Sequence, residues 1–468
     1  MSVRPEGLKA ILAGRRWFGG DTAIRSIDIV DEVIVLDAWP RLVIAIAGVD
    51  FADGGRKLYH LPLLVDADGG QRDALADSDR LKVLGELMAR GATLHGAAGR
   101  FHFGGPGLDP LSPPGRSIRA IAGEQSNSSV VLDEDVIVKL FRRVAAGVNP
   151  DLELGRLLTS EGFESIPPHV GEIVYEAAGD VTIDLGIAQR FIAGGRDGWT
   201  ETLAAVGALL DTAGHETSND LPELVRDRAA GGLDDLQRLG DTIASLHVLL
   251  AREDFEPELA PEPIDGQDLK AWAERARDSL SSLLSSELAV LEGLPDLEEA
   301  LHERIQAIED LEDAGLKLRV HGDLHLGQVM LAERGWMILD FEGEPLRSLA
   351  ERRDKQSPLR DVAGMVRSFS YAAAVGTRER AAPGSEDWPR LSAWARAWED
   401  EARARFFAAY HATSHAGAFL PSQRDTFAAL LDVFEIDKAL YELAYEAAHR
   451  HGWVSIPLHG LRTVLDRT

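Results

Sequence analysis

Two short acidic turns carry the residues whose types and spacing suit chemistry: His321-Gly322-Asp323-Leu324-His325 and, further on, Leu339-Asp340-Phe341-Glu342. Each aspartate lies just past an apolar run, and 17 positions separate Asp323 from Asp340. Metal-assisted phosphoryl transfer needs such a pair. One carboxylate orients an acceptor hydroxyl and takes its proton late in the transfer, while another holds Mg²⁺ against nucleotide phosphates. Asp323, on a loop that Gly322 lets approach other groups closely, is the candidate catalytic residue. Asp340 follows the strand-like run Trp336-Met337-Ile338-Leu339 and is a candidate Mg²⁺ ligand at the rim of a sheet, with the side-chain carbonyl of Gln328 as a second. Glu342 shares the face of Asp340 if the strand continues, and a turn there redirects it. A single Asp beside Gly is commonly a turn residue. It is the combination with Gln328 and Asp340 that points to chemistry.

A phosphotransfer site must also hold its nucleotide. Lys139 stands in the strand-like run Val136-Ile137-Val138-Lys139-Leu140-Phe141, where an unpaired ammonium is costly to bury. Glu153, 14 residues on and in a predicted helix, is the expected partner; an edge-strand lysine on a solvated face is the plainer reading. Upstream, Gly123-Glu124-Gln125-Ser126-Asn127-Ser128-Ser129 opens a predicted hairpin. Ser126, Asn127 and Ser128 there offer donors to phosphate oxygens, although the stretch is no Gly-rich loop. Near the C-terminus, Glu435, Lys438, Tyr441, Glu442, Tyr445, Glu446 and His449 fall on one face of a helix, with Ile436, Ala439, Leu440 and Leu443 on the other. Acidic, basic and aromatic groups in one stripe suit a polyhydroxylated ligand. They equally suit a solvated face with Glu435–Lys438 and Lys438–Glu442 ion pairs.

The elements that position these residues change along the chain. Residues 24–36, 41–47 and 58–61 read as strands, the last closed by Pro62. A helix is expected over 78–90, a hairpin over 126–141, a helix from 151 to 158, and a strand at 188–192. Beyond about 200 the pattern is helical, with helices expected at 233–252, 266–284, 297–314 and 389–411. The two acidic turns form a β-rich island within this half. Such segregation is α+β rather than doubly wound. His247, on an amphipathic helix, reads as a core histidine.

Composition narrows the class. With 468 residues, 45% hydrophobic and 27% charged, the chain suits a soluble protein of two or three packed units. There are no cysteines, which excludes thiolate chemistry and disulfides. A net charge of −28 opposes nucleic-acid binding. No run approaches the roughly 20 apolar residues of a membrane span, and without a signal-peptide pattern at the start the expected location is cytoplasmic.

Taken together, these stretches resemble the aminoglycoside phosphotransferase-like branch of the eukaryotic protein kinase-like superfamily, and within it the actinobacterial maltokinases. The resemblance rests on His321-Gly322-Asp323-Leu324-His325-Leu326-Gly327-Gln328, Asp340-Phe341-Glu342-Gly343-Glu344-Pro345, Gly147-Val148-Asn149-Pro150-Asp151, Ser357-Pro358-Leu359-Arg360-Asp361 and Asp437-Lys438-Ala439-Leu440-Tyr441-Glu442. It implies a bilobal protein kinase-like phosphotransferase fold, with a β-rich cap (1–90), an intermediate subdomain (91–200) and a helical C-lobe (201–468). It implies ATP and Mg²⁺ as cofactors, and phosphorylation of maltose at its anomeric hydroxyl for α-glucan synthesis. By this likeness Asp323 is catalytic, Gln328 and Asp340 bind metal, Lys139 and Glu153 pair beside the nucleotide, and Gln189 and Phe191 form the adenine hinge. His325, Glu342, Lys438, Tyr441, Glu442, Tyr445 and Glu446 would bind sugar, and the cap would recruit a trehalose-isomerising enzyme. The stretch His449-Arg450-His451-Gly452-Trp453 departs from the family's Asn-Arg-Pro pattern, which bears on the acceptor. Glucosamine or an aminoglycoside is the alternative acceptor, and a nucleotide-binding pseudokinase the non-catalytic alternative.

Overall fold

Pairing in the first half of the chain is antiparallel throughout the named strands, because short turns return each strand beside its neighbour. A computed structural model describes residues 3–18, 23–109, 112–121, 126–179, 181–215, 220–286, 293–344 and 347–467. Gly123, Glu124 and Gln125 of the expected phosphate loop, and Pro345, lie outside the described residues. The chain forms two compact units, residues Met1–Gly194 with Asp340–Arg352, and Gly195–Leu339 with Arg353–Thr468. The expected boundaries fell near 90 and 200, and the second acidic turn belongs to the first unit.

The first unit contains β1 (Ile24–Leu36), β2 (Arg41–Phe51), β3 (Arg56–Val65), β4 (Gln71–Asp73), β5 (Thr93–His95) and β6 (Gly99–Gly104). It continues with β7 (Ile118–Ala120), β8 (Asn127–Leu132), β9 (Val136–Phe141), β10 (Arg143–Val144), β11 (His169–Ala177) and β12 (Val181–Arg190). Its helices include α1 (Pro5–Leu12), α2 (Val83–Ala89) and α3 (Pro150–Ser160). One sheet runs β1-β2-β3-β10 with β4 also on β3; the other runs β5-β6-β11-β12-β9-β8-β7.

The dense apolar run of β2 has a simple cause: both of its faces are buried. Leu42, Ile44 and Ile46 join a core with Phe101, Val138, Leu140 and Ile187 of the seven-stranded sheet. The alternate residues Val43, Ala45, Ala47 and Val49 pack with Leu8, Leu12, Phe18 and Tyr59. Pro62 does not close β3 as expected. His60 N donates to Arg142 O (2.9 Å), so Pro62, two residues on, aims its missing N–H the same way. There it falls between the β10 pairing at 58–59 and the β4 pairing at 63–65. The helix expected from 78 starts as α-helix only at Val83; Ala74–Lys82 form 3₁₀ turns capped by Asp73.

Arg142 is the joint where the chain leaves β9 for β10 and so passes from one sheet to the other. It is 1% exposed. Its guanidinium donates to Asp73 (3.0 Å) and Ser128 Oγ (2.8 Å), and lies over the Trp17 ring at 4.9 Å.

The second unit begins with β13 (Arg196–Asp197), α4 (Gly198–Asp211), α5 (Leu221–Arg228), α6 (Ala230–Leu250), β14 (Glu262–Pro263), α7 (Gly266–Leu284) and α8 (Glu298–Gln306). Then come β15 (Leu316–Lys317), β16 (Val329–Ala332) and β17 (Gly335–Ile338). After α9 (Leu349–Arg353) follow α10 (Leu359–Arg378), α11 (Trp388–Ser414), α12 (Arg424–His449) and α13 (Ser455–Leu465). β16 and β17 pair as a hairpin within the expected β-rich island, and β13 adds a third strand. α8 stops at Gln306, short of 314, before the acidic stretch 309–313, which opposes the negative end of a helix dipole. α10 is buried around most of its circumference and carries Asp361 and Arg367 into the interior. Among the described residues, no helix is long and apolar enough to cross a membrane.

Removing Asp73 would leave Arg142 buried without its carboxylate. Asp73→Ala is expected to cost about 4 kcal/mol, read as a lowered urea midpoint; an unchanged midpoint would show that the joint tolerates the loss of this carboxylate.

Candidate active site

In the first unit, β9 presents Lys139 to the start of α3. The helix begins where Asn149 caps it, its side chain accepting from Asp151 N at 2.9 Å, with Pro150 at the first helical position. This fixes Asp151, which is 1% exposed. Lys139 Nζ lies 3.0 Å from Asp151 Oδ2, 2.6 Å from Asp340 Oδ1 and 2.6 Å from Glu342 Oε1. The other Asp151 oxygen accepts from Phe341 N at 3.0 Å and so holds the turn that bears Asp340 and Glu342. Asp340 itself takes a left-handed backbone, φ 62°, which asparagine and aspartate tolerate better than most residues.

Burial alone would push the Lys139 ammonium down, but the three carboxylates outweigh it and hold it well above its ordinary value. Burial raises the Glu342 carboxyl, and Asp340 and Asp151 add to that against the pull of Lys139. Oxygens of Asp151, Asp340 and Glu342 all lie within 4.8 Å of one another, a donor set suited to a hard cation.

Three expectations change here. The helix carboxylate on Lys139 is Asp151, not Glu153. Asp151, in the first turn, faces the strand, whereas Glu153 lies near the charges of Arg156 and Asp184. Glu342, expected beside the sugar, faces Lys139 and receives a hydrogen bond from Asn127 Nδ2; the turn after Asp340 has redirected it. Ser128 is engaged by Arg142. Ser126 accepts from Asn127 Nδ2 at 3.3 Å. At the expected hinge, Gln189 lies in β12 and pairs with Ile137, while Phe191 N donates to Asp135 O and its ring carries the Arg119 guanidinium at 5.1 Å.

In the second unit, the loop of Asp323 hangs from one buried carboxylate. Asp361 accepts from His321 N and Gly322 N, both at 2.8 Å, and from His247 Nε2 at 3.2 Å. His247, fully buried as expected, meets Tyr410 Oη with its Nδ1 at 2.9 Å. Burial would raise the Asp361 carboxyl, but His247, His321 and the Gly322 amide win and hold it below its ordinary value. Gly322 has φ 83°, and a Cβ on Gly364 would meet Leu324 O at 2.4 Å, so α10 approaches the loop only because glycine stands there. His321 Nε2 contacts Leu339 O at 2.7 Å; since a carbonyl only accepts, Nε2 bears the proton and Nδ1 receives Asp323 N (3.3 Å). His325 serves as a cap, its Nδ1 accepting from Gly327 N at 3.0 Å at the start of the 3₁₀ turn Leu326–Gln328. Gln328 O accepts from Leu339 N at 2.9 Å, tying the loop to the strand end. Gln328 belongs to the second unit, whereas Asp340 belongs to the first.

The stripe on α12 divides. Lys438 Nζ donates to Asp323 Oδ1 at 3.0 Å and lies 5.2 Å from the Tyr441 ring centre. Asp323 Oδ2 has no hydrogen bond among the described residues, and the side chain is 20% exposed. Glu442 Oε2 accepts from buried Arg367 at 2.7 and 3.1 Å. Glu446 Oε1 accepts from Arg450 (2.6 Å) and Tyr371 Oη (3.4 Å), and burial raises its carboxyl. Tyr441 and Tyr445 are exposed, and Tyr445 stacks on His449 at 4.5 Å. Glu435 is different. It is buried between Arg403 and Arg467, and although burial raises it, those two cations hold it at about 2. Lys438 pairs with Asp323, Glu435 with Arg403 and Arg467, and Glu442 with Arg367. Asp151, Asp361 and Arg367 carry roles that spacing did not show, although the first two stood inside motifs already noted.

No family model matches the chain. It is similar to a glucosamine kinase of Mycolicibacterium smegmatis, 26% identical over 434 residues, covering 88% of this chain and 96% of that protein. A glucosamine kinase of Streptacidiphilus jiangxiensis is 26% identical over 437 residues, covering 88% and 86%. Among solved structures, a glucosamine kinase in complex with glucosamine, ADP and inorganic phosphate has a TM-score of 0.70 at 22% identity, covering 98% of each chain. A second crystal form of glucosamine kinase gives 0.72 at 23%, covering 99% of this chain and 98% of that one. The chain has this kinase-like α+β fold.

Asp361→Asn sets an amide NH₂ against backbone donors in a fully buried place, and is expected to cost about 3 kcal/mol. The wild-type carboxylate is held below its unfolded value, so its contribution is complete above pH about 4 and is lost as pH falls through the depressed value. Denaturation of both proteins across pH should show the gap narrowing in acid; a gap that widens in acid would contradict this.

Proposed function

We propose that the protein is an ATP-dependent kinase that phosphorylates a hydroxyl of an amino sugar of the glucosamine class. The observation that carries the phosphotransfer reading is the Lys139 ammonium among Asp151, Asp340 and Glu342. Three carboxylates face Lys139 and, at the margin, Arg352 at 3.9 Å from Glu342. The surplus negative charge fits Mg²⁺, with Asp340 and Glu342 as the protein ligands and Asp151 behind them. Bound there, the metal would offset the charge of nucleotide phosphates.

In the second unit Asp323 is the base. Its Oδ2 accepts the acceptor hydroxyl and takes the proton as the new oxygen–phosphorus bond forms and the bond to the ADP oxygen breaks. Lys438 holds Oδ1, so the carboxylate cannot rotate away. The hinge pair Gln189 and Phe191, and Ser126, keep the nucleotide-side roles that the sequence resemblance implies for them.

The acceptor is argued from charge. Lys438 favours a neutral disaccharide such as maltose only if its ammonium serves the sugar, and one of its contacts here is Asp323. What α12 then offers is the half-buried Glu442 carboxylate beside two exposed tyrosines, with Glu446 buried. An ammonium on the sugar complements that face. Both similar proteins named above are glucosamine kinases, which supports the same choice.

Two measurements test this. Asp323→Asn should lower kcat by about a thousandfold with an unchanged circular dichroism spectrum; an unchanged rate would support a non-catalytic nucleotide binder instead. ATP consumption assayed over glucosamine, kanamycin, glucose and maltose should be greatest with an amino sugar. Turnover confined to maltose would reverse the acceptor assignment.

A further inference from the structure

A hollow of about 520 Å³ opens on one face of the seven-stranded sheet, next to α3. Cross-strand register builds it: His102 faces Val174, which faces Asp184, and Glu176 faces Thr182 in the adjoining row. Its volume lies within the roughly 300–1,000 Å³ typical of small-molecule sites.

The charges in the hollow are unevenly matched. Glu172 is held by Arg156 at 2.7 Å, and Glu176 by Arg100 and His102, each at 2.9 Å. Asp184 makes no ion pair among the described residues; Arg156, held by Glu172, acts on it only at longer range. It is 7% exposed, its Oδ2 accepts from Asn149 N at 2.6 Å, and Oδ1 has no hydrogen bond among the described residues. Burial pushes its carboxyl up to about 6, against the Asn149 amide and the more distant charge of Arg156. The hydroxyl of Thr182 likewise has no hydrogen bond among the described residues and lines the same space.

We propose that this hollow is a second ligand site, taking a small hydroxylated amine whose ammonium pairs with Asp184 and whose hydroxyls meet Thr182 and Glu176. A bare metal ion fits poorly: among the described residues, the group of three acidic or imidazole ligands close enough to enclose one is Asp151, Asp340 and Glu342. An ammonium needs no such cage, since its three N–H donors reach separate acceptors.

The hollow is wired to the Lys139 cluster through named bonds. Asp184 holds the Asn149 amide, Asn149 caps Asp151, and Asp151 holds both Lys139 and Phe341 N. A ligand that keeps Asp184 ionised therefore steadies the N-terminus of α3. If the kinase reading above holds, occupancy tightens nucleotide binding as well; the binding itself does not depend on that reading.

Calorimetric titration of the full chain with 2-amino-1,3-propanediol, an amine with no anomeric hydroxyl, tests the site. Binding should be seen at millimolar concentration and be unchanged in Asp323→Asn. It should weaken about tenfold in Asp184→Asn, the loss of one charge-assisted bond, and measurably in Thr182→Val and Glu176→Gln, which leave the cap of α3 untouched. Absence of binding, or equal affinity in the Thr182 and Glu176 variants, overturns the proposal. Failure of the wild type to turn over any sugar would leave the titration unaffected and would count only against the kinase reading.

Discussion

An ammonium cannot be buried alone, and the first unit is arranged around satisfying one. Lys139 enters from β9, a strand whose other residues are apolar, and meets carboxylates from a helix and from a distant turn. Desolvation opposes the charged form; three anions within 3.0 Å restore it. The arrangement over-corrects. Negative charge is left in surplus, and one carboxyl, Glu342, is raised, by burial first and by Asp340 and Asp151 in addition. A structural ion pair has no need of a third acid. The proposed site for a cation and a polyphosphate would, because both arrive carrying charge that must be balanced within a few ångströms.

The second unit solves a different problem, that of holding a loop whose backbone amides would otherwise lack partners. One carboxylate, Asp361, does this from the interior of α10. It can remain ionised there because His247 and the backbone amides outweigh the penalty of burial. His321 adds a second constraint, bridging Asp323 N to Leu339 O and so relating the loop to the strand end. Asp323 itself has one oxygen engaged by the Lys438 ammonium of α12, and the other has no hydrogen bond among the described residues. Loop position is thus set by buried groups and chemistry by half-exposed ones. Under the proposed function, such a division would keep the Asp323 carboxylate accessible without leaving its backbone mobile.

Much of this was legible in the residues. The strand run around Lys139, the hairpin before Asp340, the helix from Pro150 and the long amphipathic helices follow from periodicity and caps, which are local. What escaped depended on three-dimensional direction. Choosing Asp151 over Glu153 needs the angle at which α3 meets the sheet, since both acids stand in the first turn. The pairing of Glu442 with Arg367 joins positions 75 apart on two helices. Pro62 ends a strand by propensity and sits within one here, because its missing N–H faces a gap between two short partners. Asp361 was visible as part of a motif, but a helix-start aspartate has many uses and its spacing alone does not distinguish them.

The acceptor question turns on the same lesson. Along α12, Lys438 and the acids Glu435, Glu442 and Glu446 look like a mixed stripe of both charges. Folding sorts them. Lys438 is drawn to Asp323, and Glu435 is removed altogether into a buried cluster with Arg403 and Arg467. Glu442 stays half-buried beside Tyr441 and Tyr445 and Glu446 is buried, each accepting from an arginine on one oxygen. A neutral sugar would gain hydrogen bonds from such a face but nothing from its charge. A sugar bearing an ammonium gains both, and its discrimination against the neutral analogue follows from the carboxylates it would otherwise leave short of a donor.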